Sequence, residues 1–282
     1  MYKQVKEFII RNFPVQVRQA LVRLRNIGRN IPTEAHINGC SYTVIPHVFW
    51  LKYNRGDWEP DLCSFFKKYI TENSSILDIG GWQGASLFAA HSCGPQNVIV
   101  VEANPDTFAI LKKNCEMNRL EPVTELYQLC LSDTSNRTAE FGPMDNHLVH
   151  TAIHGIGGKG YELQAVAFTD FLKKLDFDQI QIVKIDIEGG ERFFSDGFQY
   201  LSKISGLSIF LALHPPFWDN KRRVANNLLK VFDKFEIYNS KEQPLSLKDL
   251  ESLMLSESKT QYPSKTGPFF DIILKSTSSD SR

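Results

Sequence analysis

The feature that most constrains the fold is a strand, a glycine turn and a helix at the start of residues 75–104. The apolar run at 76–79 is closed by glycines, which is typical of a buried strand. Good helix formers follow at 85–90. The glycines between these two elements are Gly80, Gly81 and Gly84. They permit a tight turn and the close approach of a ligand to the main chain, so the order predicts the first unit of a parallel α/β sheet with a ligand site.

Two acids mark where a cofactor would bind. Asp78 stands two residues before the first glycine, and Glu102 follows the second predicted strand, residues 98–101. An acid at the end of the second strand, as Glu102 is, accepts hydrogen bonds from two ribose hydroxyls. Asp78 would repel a pyrophosphate but suits a cofactor with an ammonium group and no phosphate, such as S-adenosylmethionine. The pattern favours that cofactor over a nicotinamide dinucleotide, which requires G-x-G-x-x-G; a turn that binds nothing is the remaining interpretation.

Other polar residues are predicted to lie at the same edge of the sheet. Ser132 and Asp133 follow a third predicted strand, residues 123–131, and ligands of such sheets bind beyond the carboxyl ends of the strands. A polar turn region is predicted at residues 50–57. Glu59 begins the amphipathic segment 58–70, which runs into the glycine unit, so we place it over the cofactor site. Substrate choice is assigned to two loop regions, 134–168 and 214–223.

A second informative stretch, residues 180–191, has the apolar run of a central parallel strand. Lys184, Asp186 and Glu188 alternate with its apolar residues and emerge at its end. Buried charges are costly unless they are paired or face a cleft, so we predict a polar site; structural pairing of Lys184 with Asp186 or Glu188 is the alternative. His214 follows the next predicted strand, as either a general base or a structural histidine.

Charge and cysteine content narrow the class of protein. The 282 residues have a net charge of zero, but the first thirty hold seven Lys and Arg against one acid, Glu7. The negative remainder argues against nucleic-acid binding by the main domain. Five cysteines without a C-x-x-C pair suit reduced thiols, so we predict a cytoplasmic protein. The sequence has neither an apolar run long enough to span a membrane nor the pattern of a signal peptide.

The chain is predicted to divide into a basic helical extension (1–35), a main α/β domain (36–276) and a polar tail (277–282). Residues 14–28 predict an amphipathic helix with arginines on one face. We favour packing of this helix on the domain, and peripheral contact with a membrane or a partner is the alternative. A loop metal site is not predicted, because glycines directly follow its potential ligands. Those residues are Asp145, His147, His150 and His154.

Together these stretches resemble the FkbM family of S-adenosylmethionine-dependent methyltransferases. The resemblance is carried by DIGGWQG at 78–84, VEANP at 101–105, LSD at 131–133 and KIDIEGGE at 184–191. It implies an α/β fold of the class I methyltransferase type. Such a fold has a Rossmann-like, seven-stranded, mostly parallel sheet with helices on both faces and a C-terminal antiparallel strand. It also implies O-methylation, often of a sugar or polyketide hydroxyl, with a small-molecule or glycan acceptor as the partner.

The residues and the resemblance together predict the site. The cofactor-binding residues are Glu59, Asp78, Gly80, Gly81, Gly84, Glu102, Ala103, Asn104, Ser132, Asp133 and Asp186. The catalytic residues are Lys184, Asp186, Glu188 and His214. The Asp186/Glu188 pair is favoured to take the hydroxyl proton, with Lys184 orienting one carboxylate. A divalent ion on these acids would serve the same end, but no metal is predicted.

One departure from the family pattern keeps other functions open. The family usually has a small residue and then Asn after the first glycine of the turn, where this chain has Gly81 and Trp82. The tryptophan leaves unsettled how the methionine end of the cofactor is held. A non-catalytic, methyltransferase-like scaffold is therefore one alternative function, and an NAD-dependent oxidoreductase is another.

Overall fold

The computed structural model describes residues 31–47, 49–135, 138–143, 150–152, 161–177, 179–260 and 266–276. The predicted N-terminal helix (14–28) and the tail (277–282) lie outside the described residues, as do Asp145, His147 and His154. The division of the chain at residue 35 stays a prediction, and a strand (Thr33–Ile37) runs across it.

The described residues form thirteen strands and eight α-helices. The strands are β1 (Thr33–Ile37), β2 (Cys40–Val44), β3 (Ser75–Ile79), β4 (Asn97–Glu102), β5 (Thr124–Gln128), β6 (Cys130–Ser132), β7 (Thr138–Pro143), β8 (His150–Ala152), β9 (Tyr161–Ala167), β10 (Ile180–Ile185), β11 (Ser208–Leu213), β12 (Phe235–Asn239) and β13 (Phe270–Ser276). The helices are α1 (Phe49–Tyr53), α2 (Pro60–Tyr69), α3 (Ala85–His91), α4 (Pro105–Asn118), α5 (Phe168–Leu172), α6 (Ser195–Leu201), α7 (Lys221–Phe232) and α8 (Leu247–Met254).

Seven of the strands form one sheet, in the order β12-β13-β11-β10-β3-β4-β5. β3, β4, β5, β10 and β11 run parallel to one another, and β13 lies antiparallel between β11 and β12. The seven-stranded, mostly parallel sheet with a C-terminal antiparallel strand is therefore confirmed. The strand order reverses between β3 and β10, which is the point where ligands bind in open α/β sheets.

Helices cover both faces of this sheet, because successive residues of a strand point to opposite faces. Leu77 of β3 belongs to a core with Phe198 of α6 and Leu228 of α7. Its neighbour Ile76 belongs to the other core, with Phe88 of α3. Both cores are buried, and they fix the sheet edge at which the polar residues emerge.

The segment before α2 differs from the expected polar turn at residues 50–57. Residues 49–53 form helix α1, because its aromatic side chains are buried: Trp50 and Tyr53 are almost inaccessible. The Tyr53 hydroxyl donates to the carbonyl of Ala85, at 3.1 Å. The β1–β2 hairpin packs on the same face, where the Tyr42 ring stacks on Phe88 at 4.4 Å. This N-terminal unit covers the helix that follows the glycine turn.

The third predicted strand is two strands that belong to different sheets. β5 completes the main sheet, whereas β6 pairs with β9 in a four-stranded sheet of order β6-β9-β7-β8. Most of this small sheet comes from the predicted substrate loop, residues 134–168. Ser132 and Asp133 therefore follow β6 rather than a strand of the main sheet, which corrects the expected placement. Among the described residues, no helix is both long and apolar enough to cross a membrane.

Candidate active site

The glycine turn, residues 80–84, brings the two informative stretches together. The backbone N–H of Asp186 donates to the carbonyl of Ile79 at 2.9 Å. A Cβ built on Gly80 would lie 1.8 Å from the carbonyl oxygen of Asp186, and the φ of Gly80 is 87°. Only glycine satisfies both conditions, so the end of β3 and the end of β10 are held in direct main-chain contact.

A buried ion pair lies beneath this turn. Lys184 is opposite Asp78 in the β10–β3 register, and its Nζ lies 3.2 Å from Asp78 Oδ1. The same Nζ donates to the carbonyl of Gly80 at 2.9 Å, and Ser86 Oγ donates to Asp78 Oδ2 at 2.5 Å. Burial alone would lower the pKa of Lys184, but the carboxylates of Asp78 and Asp186 raise it above its usual value. The charge of Asp78 is thus matched inside the protein.

Glu102 lies at the end of β4, next to the turn. Its Oε2 accepts from the backbone N–H of Trp82 and its Oε1 from that of Asn104, each at 2.8 Å. Burial raises the pKa of Glu102 to about 7, although both backbone N–H groups oppose the shift. A carboxylate offers about four acceptor positions, so two remain for hydroxyl donors of a ligand. This is the geometry that the ribose assignment requires.

Buried polar atoms without hydrogen bonds surround the same carboxylate. Within the described part of the chain, Asn104 Nδ2 and Gln83 Oε1 have no hydrogen-bond partner. Asn104 caps α4 through its Oδ1, which accepts from the N–H groups of Asp106 and Thr107, so its amide nitrogen remains as a donor. A nucleoside with donors and acceptors fits these residues. The sequence analysis missed Gln83, since a glutamine inside a glycine turn carries no specific signal.

The Trp82 ring does not lie among the charged residues at the end of β10. It packs against Phe49 of α1, with ring centroids 4.7 Å apart, and against His47 at 5.3 Å. Trp82 has a φ of 47°, which turns its backbone N–H toward Glu102. The tryptophan joins the N-terminal unit to the glycine turn, a role that single-sequence patterns did not indicate.

Asp186, Glu188 and His214, hereafter the acid–histidine cluster, lie together beyond the ends of β10 and β11. His214 Nε2 is 3.5 Å from Asp186 Oδ1 and 3.5 Å from Glu188 Oε2. Glu188 has a φ of 51°, and the following Gly189 lies so close to Phe217 that a Cβ would approach its side chain to 2.7 Å. Three of the four predicted catalytic residues are thus adjacent, and the fourth, Lys184, lies below them against Asp78.

Glu191 supports the histidine from the buried side. It is fully buried, and its Oε1 accepts from the backbone N–H of His214 at 2.5 Å and from Trp218 Nε1 at 3.2 Å. Burial would lower the pKa of His214, but Glu188, Glu191 and Asp186 together raise it. Burial is also the main cause that raises the pKa of Glu188. Glu191 stands in the KIDIEGGE motif, yet it was not predicted as a site residue.

Two further acids face the cluster. Burial, followed by repulsion from Asp186, raises the pKa of Glu59, which precedes α2 with a φ of 34°. The same two causes raise the pKa of Asp271, at the start of β13, to about 6. Among the neighbouring charges, Asp186 has the largest effect on Glu59, and the assignment of Glu59 to the cofactor stays a prediction. Asp271 was missed, because one acid in a predicted edge strand gives no functional signal.

Ser132 is the last residue of β6, and Asp133 follows it. Ser132 is buried and donates through Oγ to Asp133 Oδ1 at 3.0 Å, while Asp133 is exposed. Ala103 is half-buried between Glu102 and Asn104. Gly81 contacts Val100, where a Cβ would lie 2.1 Å from Cγ1. Their assignment to the cofactor stays a prediction, as do the roles of the other site residues.

Comparison with known families identifies the region that contains both stretches. Residues 69–196 match the profile described as "Methyltransferase FkbM domain". This part of the chain is a methyltransferase FkbM domain. Its cofactor is S-adenosylmethionine, and the residues around Glu102 fit the nucleoside of that cofactor. Glu59 and His214 lie outside the matched range, although they face residues within it.

Solved structures show similarity across nearly the whole chain. The O-methyltransferase from Bacillus cereus in complex with SAH is 13% identical, with a TM-score of 0.43 over 96% of each chain. P. horikoshii TYW2 in complex with MeSAdo is 10% identical, with a TM-score of 0.44 over 98% of this chain and 100% of that one. No curated protein sequence matches the FkbM-domain chain.

Proposed function

We propose that this protein transfers a methyl group from S-adenosylmethionine to a hydroxyl of a sugar, a glycan or another small-molecule natural product. The observation that carries the proposal is the position of the acid–histidine cluster. It adjoins the glycine turn through the contact between Gly80 and Asp186, so proton acceptors lie beside the predicted methionine end of the cofactor. A hydroxyl must lose its proton during methyl transfer, and these groups are suited to receive it.

The chain's own residues account for binding and for the proton. The bound cofactor supplies a methyl group already activated on a sulfonium, so the protein mainly has to position the acceptor. Glu102 holds hydroxyl donors, and Lys184 fixes the turn through Asp78 and the carbonyl of Gly80. The acceptor proton passes to an oxygen of Asp186 or Glu188. The raised pKa of Glu188 makes its carboxylate a better base near neutral pH.

An aromatic surface beside the cluster supports an acceptor with a ring. The Phe269 ring lies 5.5 Å from that of His214 and 5.2 Å from that of Phe217, and Phe269 is 37% exposed. Aromatic faces pack against the apolar face of a sugar while its hydroxyls reach polar groups at the edge. The combination of Phe217 and Phe269 with the acids therefore favours a sugar or another cyclic polyol.

A two-step experiment tests this function. Calorimetric titration with S-adenosylmethionine, with NADH as the control, measures cofactor binding. Release of S-adenosylhomocysteine is then followed with a panel of glycosides, aliphatic amines and thiols, and the product is examined by NMR. We expect a methyl ether on a hydroxyl acceptor. A methyl group on nitrogen or sulfur, or no turnover with any hydroxyl acceptor, would overturn the proposal.

A matched pair of variants separates binding from transfer. Glu188→Gln removes one proton acceptor from the acid–histidine cluster, so cofactor affinity should stay the same while turnover falls by about 100-fold or more. Glu236→Gln, an exposed acid on β12, should leave both unchanged. Unchanged turnover in Glu188→Gln would remove that carboxylate from the reaction.

A further inference from the structure

The acid–histidine cluster is close enough for ion pairing but is spaced more widely than direct hydrogen bonds require. Its three facing atoms, His214 Nε2, Asp186 Oδ1 and Glu188 Oε2, all lie within 4.8 Å of one another. The nitrogen is 3.5 Å from each oxygen, and no hydrogen bond joins the three side chains in the described structure. Direct N–H···O bonds would bring these atoms to about 2.7–3.2 Å. The three atoms are therefore near one another without a direct hydrogen bond between them.

That spacing matches the ligands of one metal ion. A point equidistant from three atoms so spaced lies roughly 2.0–2.4 Å from each, which is the range of imidazole and carboxylate bonds to divalent cations. His214 is only 7% exposed, and its Nδ1 has no hydrogen bond within the described residues. Nδ1 lies 3.5 Å from Glu191, so Nε2 is the ring nitrogen that lies beside Asp186 and Glu188. Asp186 and Glu188 are each about a quarter to a third exposed, so the centre is open on one side.

The charges around the cluster also call for a cation. Burial and then repulsion from Asp186 raise the pKa of both Glu59 and Asp271. Lys184 is 3.9 Å from Asp186 Oδ2, but its closer contacts are with Asp78 and the carbonyl of Gly80. The lysine therefore lies closer to Asp78 than to Asp186, and a cation at the cluster would relieve the repulsion between Asp186 and the acids Glu59 and Asp271.

We propose that Asp186, Glu188 and His214 bind one divalent cation. One imidazole with two carboxylates suits Mn²⁺ or a neighbouring first-row ion better than Ca²⁺ or Mg²⁺, which prefer oxygen ligands throughout. Three protein ligands leave open positions on the exposed side of the site. Glu191 is not a ligand in this arrangement; it positions His214 through the backbone N–H and lies 3.5 Å from its Nδ1.

The ion would determine which class of acceptor binds at the site, and this part of the inference rests on the proposed function. A cation at the open side of the cluster would bind the acceptor hydroxyl and lower its pKa, and the proton would pass to the oxygen of Asp186 or Glu188 that is not bound to the ion. Acceptors with two adjacent oxygens, such as vicinal diols, would occupy two open positions at once. Isolated hydroxyls would bind more weakly, so substrate choice would depend on the ion as well as on the loops.

Binding of Mn²⁺ to the full chain, without cofactor or acceptor, tests the site directly. The electron paramagnetic resonance signal of free Mn²⁺ is followed as protein is added, and we expect one ion per chain. Asp186→Asn and His214→Gln should each raise the Kd at least about 100-fold, since a ligand costs more than an outer-shell residue. Asp271→Asn is the matched control, because it removes a neighbouring carboxylate that is not a ligand, and it should change the Kd only a few-fold.

The outcomes distinguish a specific metal site from non-specific attraction of cations by acidic residues. No Mn²⁺ binding would overturn the proposal, and so would an equal loss of affinity in Asp271→Asn and Asp186→Asn. If circular dichroism shows that His214→Gln does not fold, Glu188→Gln, at the exposed turn, gives the same test. Mn²⁺ binding without turnover on any hydroxyl would leave the metal site standing and overturn the proposed function. If the protein does not bind Mn²⁺ but methylates a hydroxyl in the presence of a chelator, the proposed function stands and the metal site is overturned.

Discussion

The buried Lys184–Asp78 pair allows a prediction of stability whose size follows from the structure. In Lys184→Met, Asp78 would stay 1% exposed and would keep only its hydrogen bond from Ser86 Oγ. The carbonyl of Gly80 would also lose a donor. Removing one partner of a buried ion pair costs about 3–5 kcal/mol, which is a large part of the 5–15 kcal/mol that typically stabilises a domain. We therefore expect a strongly reduced urea midpoint, measured by circular dichroism with EDTA present.

A double-mutant cycle tests the cause of this loss. Asp78→Asn alone leaves the Lys184 ammonium with Asp186 as its nearest acid, at 3.9 Å, and is also destabilising. Lys184→Met combined with Asp78→Asn removes both charges, so it should lose about 2–3 kcal/mol less than the sum of the single variants. Additive losses, or a cost below about 1 kcal/mol for Lys184→Met, would show that the two side chains do not depend on each other in this way.

Three other outcomes are expected. Glu102→Gln should weaken S-adenosylmethionine binding, measured by calorimetry, about 10- to 100-fold, because a charged acceptor is lost. Glu125→Gln, which changes an exposed acid on β5, is the control, and equal affinity of Glu102→Gln and the unchanged protein would contradict the assignment. The pKa of Glu102 rises from 4.5 to about 7 on folding, so its contribution to stability is present below pH 4.5 and lost as the pH rises through 7. Urea unfolding measured across this range should give a flatter dependence of stability on pH in Glu102→Gln, and an unchanged dependence would contradict this prediction. Gly197→Ala costs about 1–3 kcal/mol, because its Cβ would lie 2.0 Å from Phe168 Cδ1; Phe168→Leu in that background should restore part of the loss, and native stability of Gly197→Ala contradicts it.

The sequence predicts those parts of the fold whose local residue pattern is compatible with only one kind of structure. A short apolar run with glycines and a helix behind it forms β3, the turn and α3, because a buried parallel strand needs apolar residues on both faces. The run at 180–185 forms β10 for the same reason. The expected polar turn at 50–57 was wrong because α1 is stabilised by burial of Trp50 and Tyr53 against the hairpin and α3, which are tertiary contacts.

The site is less predictable than the fold because its partners come from distant parts of the chain. The pairing of Lys184 with Asp186 or Glu188 was the alternative to a polar site. Lys184 lies 3.9 Å from Asp186, but strand register also places it opposite Asp78, 106 residues earlier and only 3.2 Å away. Asp271 reaches the cluster because β13 inserts beside β11, an arrangement that no local pattern around residue 271 encodes. Glu191 could have been found, since a fully buried carboxylate in a signature motif must have partners.

The hydrogen-bond and ion-pair partners of each acid distinguish structural acids from reactive ones. Glu102 is held by two main-chain N–H groups, and Asp78 by Lys184 and Ser86, so both have fixed positions before any ligand arrives. Asp186 and Glu188 lie 3.5 Å from a histidine, without a hydrogen bond to it, and Asp186 is also 3.9 Å from Lys184 Nζ. Burial of incompletely paired charge is unfavourable, and such groups persist where a ligand or a reaction uses them. The main-chain contact at Gly80 that joins β3 to β10 therefore places the acids with internal partners beside the acid–histidine cluster, which is where the proposed function puts the acceptor.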